Sequence, residues 1–295
     1  MEKVLRDKKT ILFFIGPALL LYVGVMLYPI INAIYMSTFN WDLMGTPRFI
    51  GMNNFIRLFT RDPIVIRALQ NTSRILVGSL VGQLSLGFFL AYILTFGTKY
   101  KNLFKNFYFL PAVISSAAVG AMWRFLYNPN AGLVNALLRL LGLEGWTRSW
   151  LTDENTALNA IIVVVIWQFS GYTMTLFMAA MQGIPSTIFE AAKIDGANHF
   201  QIMTRITVPL ILPIVKVSTI MITVGSLRFF DLVYVMTPGG GPNRMTEVLA
   251  SYLFRRSFIH FELGYGASLG VLLLVLSLFA TLIINRVFRN TVHEY

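Results

Sequence analysis

Six apolar stretches, each about 20 residues or longer, limit what this chain can fold into more than any other feature. They are Ile11–Tyr35, Ile75–Phe96, Phe107–Phe125, Leu158–Met181, Ile211–Met236 and Gly266–Val287. Roughly 20 apolar residues are what an α-helix needs to cross the hydrocarbon core of a bilayer. A membrane β-barrel would instead show short segments of alternating polarity. The sequence therefore predicts an all-α, polytopic membrane protein with six transmembrane helices.

Composition agrees with one membrane-embedded domain. Of the 295 residues, 56% are hydrophobic and 13% are charged, whereas soluble domains carry about 25% charged residues. The first apolar run is too long for the 7–15 residues of a signal peptide core, and no small-residue cleavage site follows it. We therefore expect a retained first span, a domain over residues 11–287, and short tails at 1–10 and 288–295.

The lysines indicate which side of the membrane each loop occupies. Lysine occurs in the N-terminal tail, the second loop and the fourth loop, but in none of loops one, three and five. Arginine does not discriminate, because Arg48, Arg57, Arg61 and Arg67 all lie between spans one and two. Short basic loops stay in the cytoplasm. We expect both termini and the loop after span four to be cytoplasmic.

The net charge of +11 does not point to nucleic acid. The basic residues are dispersed among the ends of the spans and form no contiguous patch. Membrane topology and lipid headgroups account for the charge better. We expect membrane lipid, and no nucleic acid, among the partners.

The sequence lacks the usual means of catalysis and metal binding. There is no cysteine, and the three histidines, His199, His260 and His293, form no H-E-x-x-H pair. A phosphate-binding G-x-x-x-x-G-K-[ST] loop is also missing. We therefore expect no catalytic residue, no metal site and no cofactor, and any ATP that drives this protein must bind another polypeptide.

One segment matches an enzyme motif by its letters alone. "GASLG", Gly266 to Gly270, fits the G-x-S-x-G nucleophile elbow. That motif works on a sharp strand-to-helix turn with acid and histidine partners, whereas here it opens an apolar helix. Small residues at this spacing let membrane helices approach closely, so we favour a packing role.

A charged segment, "EAAKIDGANHFQIMTRITVPLILP", interrupts the apolar sequence between spans four and five. Thr187 and Glu190 fit a capping box at the start of a short helix. Gly196 then stands where a positive φ is natural, and Asn198 with Gln201 resembles a second helix start. The residues leave two interpretations open: an amphipathic loop whose Glu190 caps its own helix, or two short helices at a set angle that enter a groove on a partner.

Each of the two predicted short helices has residues that share one side. The residues are Ile188, Ala191, Ala192 and Asp195 in the first helix, and Phe200, Met203, Thr204 and Thr207 in the second. Spacings of three and four residues place side chains on one face of a helix. The alanines would keep the first face flat and close-fitting.

The same segment resembles the EAA loop of ABC importer permeases. The residues that carry this resemblance are Glu190-Ala191-Ala192, Asp195-Gly196-Ala197, Ile206 and Pro209. "FIGMNNFIRLF" at 49–59, "ALQNT" at 68–72 and "FDLVYVMTPGGGP" at 230–242 are similar to the carbohydrate-uptake group, which includes maltose and glycerol-phosphate permeases. "YPIINAIYMSTFNWD" at 28–42 resembles the first of the two permease subunits. The extra N-terminal spans and the large external insertion of the maltose subunit are missing.

The resemblance implies a heterodimeric pore in the plasma (inner) membrane of a prokaryote. Its partners would be a second permease subunit, two ATP-binding subunits and an extracytoplasmic solute-binding protein. The substrate would be a sugar, an oligosaccharide or a related polyol or sugar phosphate. The loop at 183–213 would couple the pore to the ATPase, with Glu190 facing the ATPase groove and Gly196 forming the bend.

Spans four and five contain the candidate substrate-binding residues. A sugar site needs hydrogen-bonding groups and flat aromatic faces in a largely preformed cavity. Trp167, Gln168, Tyr172, Ser226 and Phe229 offer both. Tyr172, Ser226 and Phe229 resemble, by position, the residues with which the maltose subunit contacts its cargo. Ordinary helix packing is the alternative, because membrane helices use the same residue types for it.

Two features follow span five. Arg228 and Asp231 are three residues apart, and we expect them to form an ion pair, whereas an unpaired Arg228 would favour an anionic cargo. "TPGGGPNRMTE", Thr237 to Glu247, is expected to be a flexible outer surface that faces the binding protein.

A transporter or channel that acts alone is the competing function. Such proteins often contain inverted repeats and ionisable coupling residues near the membrane midplane. The sequence shows no repeat and no carboxylate at the centre of a span.

Overall fold

The computed structural model describes residues 8–42, 45–97 and 100–289. Most of both predicted tails lies outside the described residues, as do Lys3 and Lys99 among the lysines used for orientation. The chain divides into two compact units. The first comprises the chain up to Asp62 together with Leu253–Leu274, and the second comprises Pro63–Tyr252 and the residues from Val275 onward.

The first unit begins with the first span. Helix α1 (Lys8–Tyr22) continues through a π-helical turn, Val23–Leu27, into α2 (Tyr28–Met36). Together they give an apolar span over Ile11–Met36, as predicted, and none of its most apolar 18-residue window is buried inside the protein. The face of this span is therefore left for lipid or for another subunit.

A short hairpin and a helix follow the first span. Strand β1 (Phe39–Asn40) pairs antiparallel with β2 (Arg48–Phe49), and α3 covers Asn53–Thr60. The amide of buried Asn54 donates to the carbonyls of Ser37 and Phe39, over 2.8 and 2.9 Å. The start of α3 is therefore fastened to the end of the first span.

A group of charged residues holds the two segments of the first unit together. The Tyr265 hydroxyl donates to the carboxylate of buried Asp62 over 2.6 Å. Glu262 forms ion pairs with Arg57 at 3.1 Å and with Arg256 at 3.3 Å. The Arg57 guanidinium also lies 4.1 Å from the centre of the Tyr265 ring, within cation–π range. The sequence analysis did not anticipate this group.

Two helices near the C-terminus complete the apolar part of the chain. Helix α13 covers Leu249–Phe254, a π-helical turn covers Arg255–Ile259, and α14 covers Leu263–Val287. The last span thus begins at Leu263, before the predicted Gly266. A Cβ added to Gly266 would collide with the Ser257 hydroxyl, so the first glycine of "GASLG" serves close packing inside a helix.

The second unit is built on two long helices. Helix α4 runs unbroken from Pro63 to Phe96, starting well before the predicted Ile75, and α8 covers Ala157–Gln182, close to the predicted Leu158–Met181. Gly78 and Gly82 of α4 lie against isoleucine side chains of α8, and Gly87 lies against Thr173. Small residues at such positions bring helix backbones close together.

The third span is bent, so the prediction of one helix over Phe107–Phe125 is wrong. Helices α5 (Lys101–Val113) and α6 (Ser116–Leu126) meet at an angle of 97°. Ile114 and Ser115 between them are extended, with ψ values of 139° and 132°. The Gln168 amide donates to the Ile114 carbonyl over 3.2 Å and to the Ser116 hydroxyl over 3.4 Å. The Gln168 side chain thus gives a hydrogen-bond partner to the Ile114 carbonyl, which has no helical partner at the bend.

The fifth span begins and ends earlier than predicted. A continuous helix runs from His199 to Leu227, made of α10 (His199–Ile202), a π-helical turn (Met203–Thr207) and α11 (Val208–Leu227). The predicted Ile211–Met236 is therefore divided, and its last residues form a separate helix, α12 (Asp231–Met236). Helix α12 packs on α6, where Gly120 leaves room for Leu232 and Val235.

Two amphipathic helices lie between the spans: α7 (Leu133–Leu140) and α9 (Ser186–Ile194). Within the described residues, five helices are long and apolar enough to cross a membrane, and the count is six when the bent α5–α6 pair is taken as one span. The all-α, polytopic prediction is confirmed, with the third span bent rather than straight.

Candidate functional site

A cavity of about 220 Å³ lies between α4, α8 and α11 in the second unit. Its wall includes the aromatic rings of Phe169, Tyr172 and Phe229 and the aliphatic side chain of Ile222. We call it the central cavity. An apolar lining with a few polar groups is typical of small-molecule sites.

Three of the five predicted substrate-binding residues lie on this wall: Tyr172, Ser226 and Phe229. The other two do not line it. Trp167 packs edge-on against Trp123, with ring centres 5.4 Å apart, and Gln168 is buried at the bend of the third span. Trp167 lies on a different side of α8 from Tyr172, whereas Gln168, four residues before Tyr172, lies next to the wall but directs its amide to the bend.

Three further polar residues of the wall were missed by the sequence analysis: Gln83, Thr173 and Ser218. Gln83 of α4 is 4% exposed and Ser218 of α11 is 1% exposed. Within the described part of the chain, neither the Ser218 hydroxyl nor the Gln83 amide has a hydrogen-bond partner. A polar residue inside an apolar span is itself a signal of function, but sequence does not show on which side of α4 the cavity lies.

The described residues of the wall carry no charge. Two basic residues belong to this helix, Lys216 within α11 and the exposed Arg228 at its C-cap, and neither lines the cavity. The predicted ion pair between Arg228 and Asp231 is wrong: both side chains are exposed, and within the described residues neither takes part in an ion pair. The reason is that the helix ends at Leu227 and restarts at Asp231, so the two residues do not share one helix face.

A second cavity, of about 480 Å³, lies at the end of α6 and α12. Arg124, Tyr127, Asn128 and Thr152 contribute to its wall, together with Thr237 of the glycine-rich loop. Burial raises the pKa of Tyr127 to about 12, because desolvation disfavours the phenolate. The Tyr127 hydroxyl therefore stays protonated at neutral pH, and it donates to the Ala160 carbonyl over 3.3 Å.

Hydrogen bonds hold the ends of the glycine-rich loop, Thr237 to Glu247, while its expected flexibility stays a prediction. Gly239, Gly240 and Gly241 all have positive φ, which glycine adopts without strain. The loop ends are joined by a 2.8 Å hydrogen bond between the hydroxyls of Thr237 and Thr246. The three glycines allow the tight turns of this loop, and the hydrogen bonds stabilise them.

The loop at 183–213, which we call the Glu190 loop, contains the predicted turn. Gly196 has φ of 79°, as expected. Asn198 caps α10, and it exchanges two 2.8 Å hydrogen bonds with Gln201. The Thr187–Glu190 capping box is wrong, because α9 begins at Ser186 after Pro185 and makes no side-chain cap. The second predicted short helix is continuous with the fifth span instead of separate.

The Glu190 loop presents most of its predicted coupling residues to solvent. Glu190, Ala191, Asp195 and Gly196 are exposed, Ala197 is half-buried and Ala192 is buried. Two apolar side chains beside them are also uncovered: Ile194 is 86% exposed and Phe200 is 67% exposed. Ala192 thus faces the protein while the rest of α9 offers a mixed charged and apolar surface.

Aromatic residues attach this loop to the end of α4. The rings of Phe96 and Phe189 meet edge-on, with centres 5.2 Å apart. The Tyr92 hydroxyl donates to the His199 carbonyl over 3.1 Å. Helix α4 therefore contacts the Glu190 loop at one end and lines the central cavity with Gln83 near its middle.

A small uncharged cavity between three membrane-spanning helices, with an exposed helical loop attached to one of them, is the arrangement expected of a membrane transport subunit. The chain belongs to the family described as binding-protein-dependent transport system inner membrane component, whose model matches residues 83–293. It is therefore the permease subunit of an ABC importer, and ATP hydrolysis belongs to a separate subunit. This family membership argues against a transporter or channel that acts alone.

Relatives extend the similarity over almost the whole chain. The probable ABC transporter permease protein YurN of Bacillus subtilis is 34% identical, over 95% of this chain and 96% of its own length. The diacetylchitobiose uptake system permease protein NgcF of Streptomyces coelicolor is 33% identical, over 97% and 85%. In the crystal structure of a bacterial alginate ABC transporter, one chain has the same fold: the TM-score is 0.85 at 23% identity, covering 98% of this chain and 96% of that one.

Proposed function

We propose that this permease carries a sugar, an oligosaccharide or a related polyol or sugar phosphate through the central cavity. The observation that supports this most is the meeting of Tyr172 and Phe229 with Ser226 on one wall. Flat aromatic faces stack on the apolar face of a sugar ring, and hydroxyl groups pair with its hydroxyls. A relative named for diacetylchitobiose uptake agrees with this cargo class.

The size of the cavity favours one sugar ring at a time. Its volume of about 220 Å³ is below the roughly 300–1,000 Å³ of most ligand pockets. A longer cargo would therefore occupy it ring by ring, with the remaining rings against the second permease subunit of a heterodimer. The bare face of the first span leaves room for lipid and for such a subunit.

The Glu190 loop would dock on one of two ATP-binding subunits. Exposed Glu190 and Asp195 offer charge, and exposed Ile194 offers apolar contact, on a surface that Gly196 and the Asn198 cap hold in one shape. Ala191 and Ala197 keep the surface shallow, and buried Ala192 seats α9 on the protein. The contacts of Phe96 and Tyr92 with this loop would pass its movement to α4.

The orientation that fits this arrangement places the Glu190 loop and both termini in the cytoplasm of a prokaryote. The glycine-rich loop and the second cavity would then face outward, toward an extracytoplasmic solute-binding protein. The distribution of lysine along the sequence supports this orientation.

Uptake measurements test the proposed cargo site. Cells with the complete importer would be given labelled maltose, lactose, N,N′-diacetylchitobiose, glucuronate and glycerol 3-phosphate. Tyr172→Ala and Phe229→Ala should each reduce uptake of the transported compound about tenfold or more, since a lost stacking face costs roughly 1–3 kcal/mol. Phe279→Ala, at a residue 62% exposed on α14, is the matched control. Unchanged uptake in both cavity variants would place the cargo elsewhere.

A further inference from the structure

We propose that Gln83 determines cargo specificity in the central cavity, and that the group bound there is an uncharged, hydroxyl-bearing sugar ring. This inference rests on the proposed function and narrows it in two ways. It adds a residue from α4 to a proposed site whose other residues belong to α8 and α11, together with Phe229 just after α11. It also excludes a carboxylate or phosphate from the cavity itself.

The first support is the unpaired state of Gln83. Its side chain lines the cavity, is 4% exposed, and has no hydrogen-bond partner among the described residues. The amide opens into the cavity, where a ligand can supply the hydrogen bonds that a polar group in an apolar span needs. The Ser218 hydroxyl, on the same wall, is buried and has no partner among the residues that the structure describes.

A comparison with Gln168 separates a packing role from a binding role. Gln168 is also buried, but its amide donates to the Ile114 carbonyl and the Ser116 hydroxyl, which stabilises the bend of the third span. Gln83 makes no such bond between helices within the described structure. If Gln83 served packing alone, we would expect it to join α4 to a neighbouring helix.

The chemistry of the wall selects an uncharged ligand. A glutamine amide both donates and accepts hydrogen bonds, as serine and threonine hydroxyls do, and this matches the donor and acceptor pattern of sugar hydroxyls. An anion in the cavity would need a cation or several N–H donors. The described lining residues include no cation, and Arg228 lies off the wall.

Substitutions at Gln83 test the inference in the complete importer. Gln83→Leu keeps the volume of the side chain but removes both hydrogen-bonding atoms. We expect the uptake rate of the best neutral sugar to fall at least tenfold. We also expect the ratio of rates between two neutral sugars that use the same binding protein to change, because the two sugars place different hydroxyls at the amide.

Two further variants separate specificity from folding. Gln70→Leu is the same change at an exposed position of the same helix and should leave uptake and the ratio unchanged. Gln83→Asn keeps the amide and should restore part of the uptake at an equal level of protein in the membrane. A structural role alone would lower the uptake of both sugars equally and leave their ratio unchanged.

The outcomes distinguish this inference from the proposed function. If the wild-type importer takes up none of the five test compounds, the proposed function fails and the inference fails with it. If the wild type takes up a neutral sugar and Gln83→Leu leaves both rate and ratio unchanged, the inference alone is wrong. Uptake of glucuronate or glycerol 3-phosphate in preference to every neutral sugar would overturn the claim of an uncharged ligand.

Discussion

The side-chain amide of Asn71 donates to the backbone carbonyls of both Met245 and Glu247, over 2.6 and 2.9 Å. Asn71 lies on α4, the helix that also carries Gln83 at the central cavity and Tyr92 at the Glu190 loop. An unbroken helix of 34 residues is about 50 Å long. One continuous helix therefore contacts the glycine-rich loop, the central cavity and the Glu190 loop.

Asn71→Leu should loosen the glycine-rich loop. It removes two hydrogen bonds and leaves two carbonyls without their partner, at a cost of about 2 kcal/mol. Faster hydrogen exchange of the amides in residues 240–247 would show this loosening. Asn159→Leu, which removes an exposed 3.3 Å bond to the Asn155 carbonyl just before α8, should leave the loop unchanged. Equal exchange rates in both variants would mean that Asn71 does not hold the loop.

Gly171→Ala should separate α5 from α8. A Cβ at this position would collide with the Tyr108 carbonyl, and backbone cannot move aside as a flexible side chain can. We expect a loss of roughly 1–3 kcal/mol in stability and a lower protein level in the membrane. Gly145→Ala, where nothing lies within 4 Å of an added Cβ, is the control. A Gly171→Ala protein as abundant and as active as wild type would contradict the close packing of these helices.

Tyr265→Phe should destabilise the first unit. The variant keeps the ring beneath Arg57 but loses the 2.6 Å hydrogen bond to buried Asp62, a bond to a charged group worth about 1.5–3 kcal/mol. The midpoint of thermal unfolding in detergent should fall. Tyr28→Phe, at an exposed tyrosine of the first span, should not move it. The same midpoint in both variants would show that the hydroxyl bond contributes little.

Single cysteines test the orientation, because the chain has none of its own. His199→Cys should escape an impermeant thiol reagent in intact cells and react after the membrane is opened. Asn130→Cys, exposed in the loop between α6 and α7, should react in intact cells. The reverse pattern would invert the proposed topology.

Features that depend on length or on local stereochemistry were predictable from sequence. A run of about 20 apolar residues indicates a span whichever helices it packs against. All spans except the fifth were therefore located to within several residues at one end or both. The positive φ at Gly196 and the cap at Asn198 follow from neighbouring residues alone. The bend at Ile114 and Ser115 was not predictable, since a bent span is as apolar as a straight one.

Contacts between distant residues were beyond reach of the sequence. Asp62 and Tyr265 are 203 residues apart, and nothing local links them. For the same reason Gln83 was missed, while Tyr172, Ser226 and Phe229 were proposed by resemblance. Trp167 and Gln168 were proposed from residue type alone, and the structure gives both of them other neighbours.

The central claim is that the Glu190 loop joins this permease to a separate ATP-binding subunit. Glu190→Lys should weaken that association, because a misplaced charge in a desolvated contact costs several kcal/mol. Each 1.4 kcal/mol lowers the binding affinity tenfold. Gly196→Pro should misdirect the chain between α9 and α10, since proline fixes φ near −65° and Gly196 has 79°. Glu144→Lys, a charge reversal at an exposed site outside this loop, is the control.

The most direct measurement is co-purification of the ATP-binding subunit with each variant at matched membrane level, together with sugar uptake. We expect Glu190→Lys and Gly196→Pro to lose most of the bound ATP-binding subunit and most of the uptake, while Glu144→Lys retains both. Wild-type association and wild-type uptake in both loop variants would contradict it.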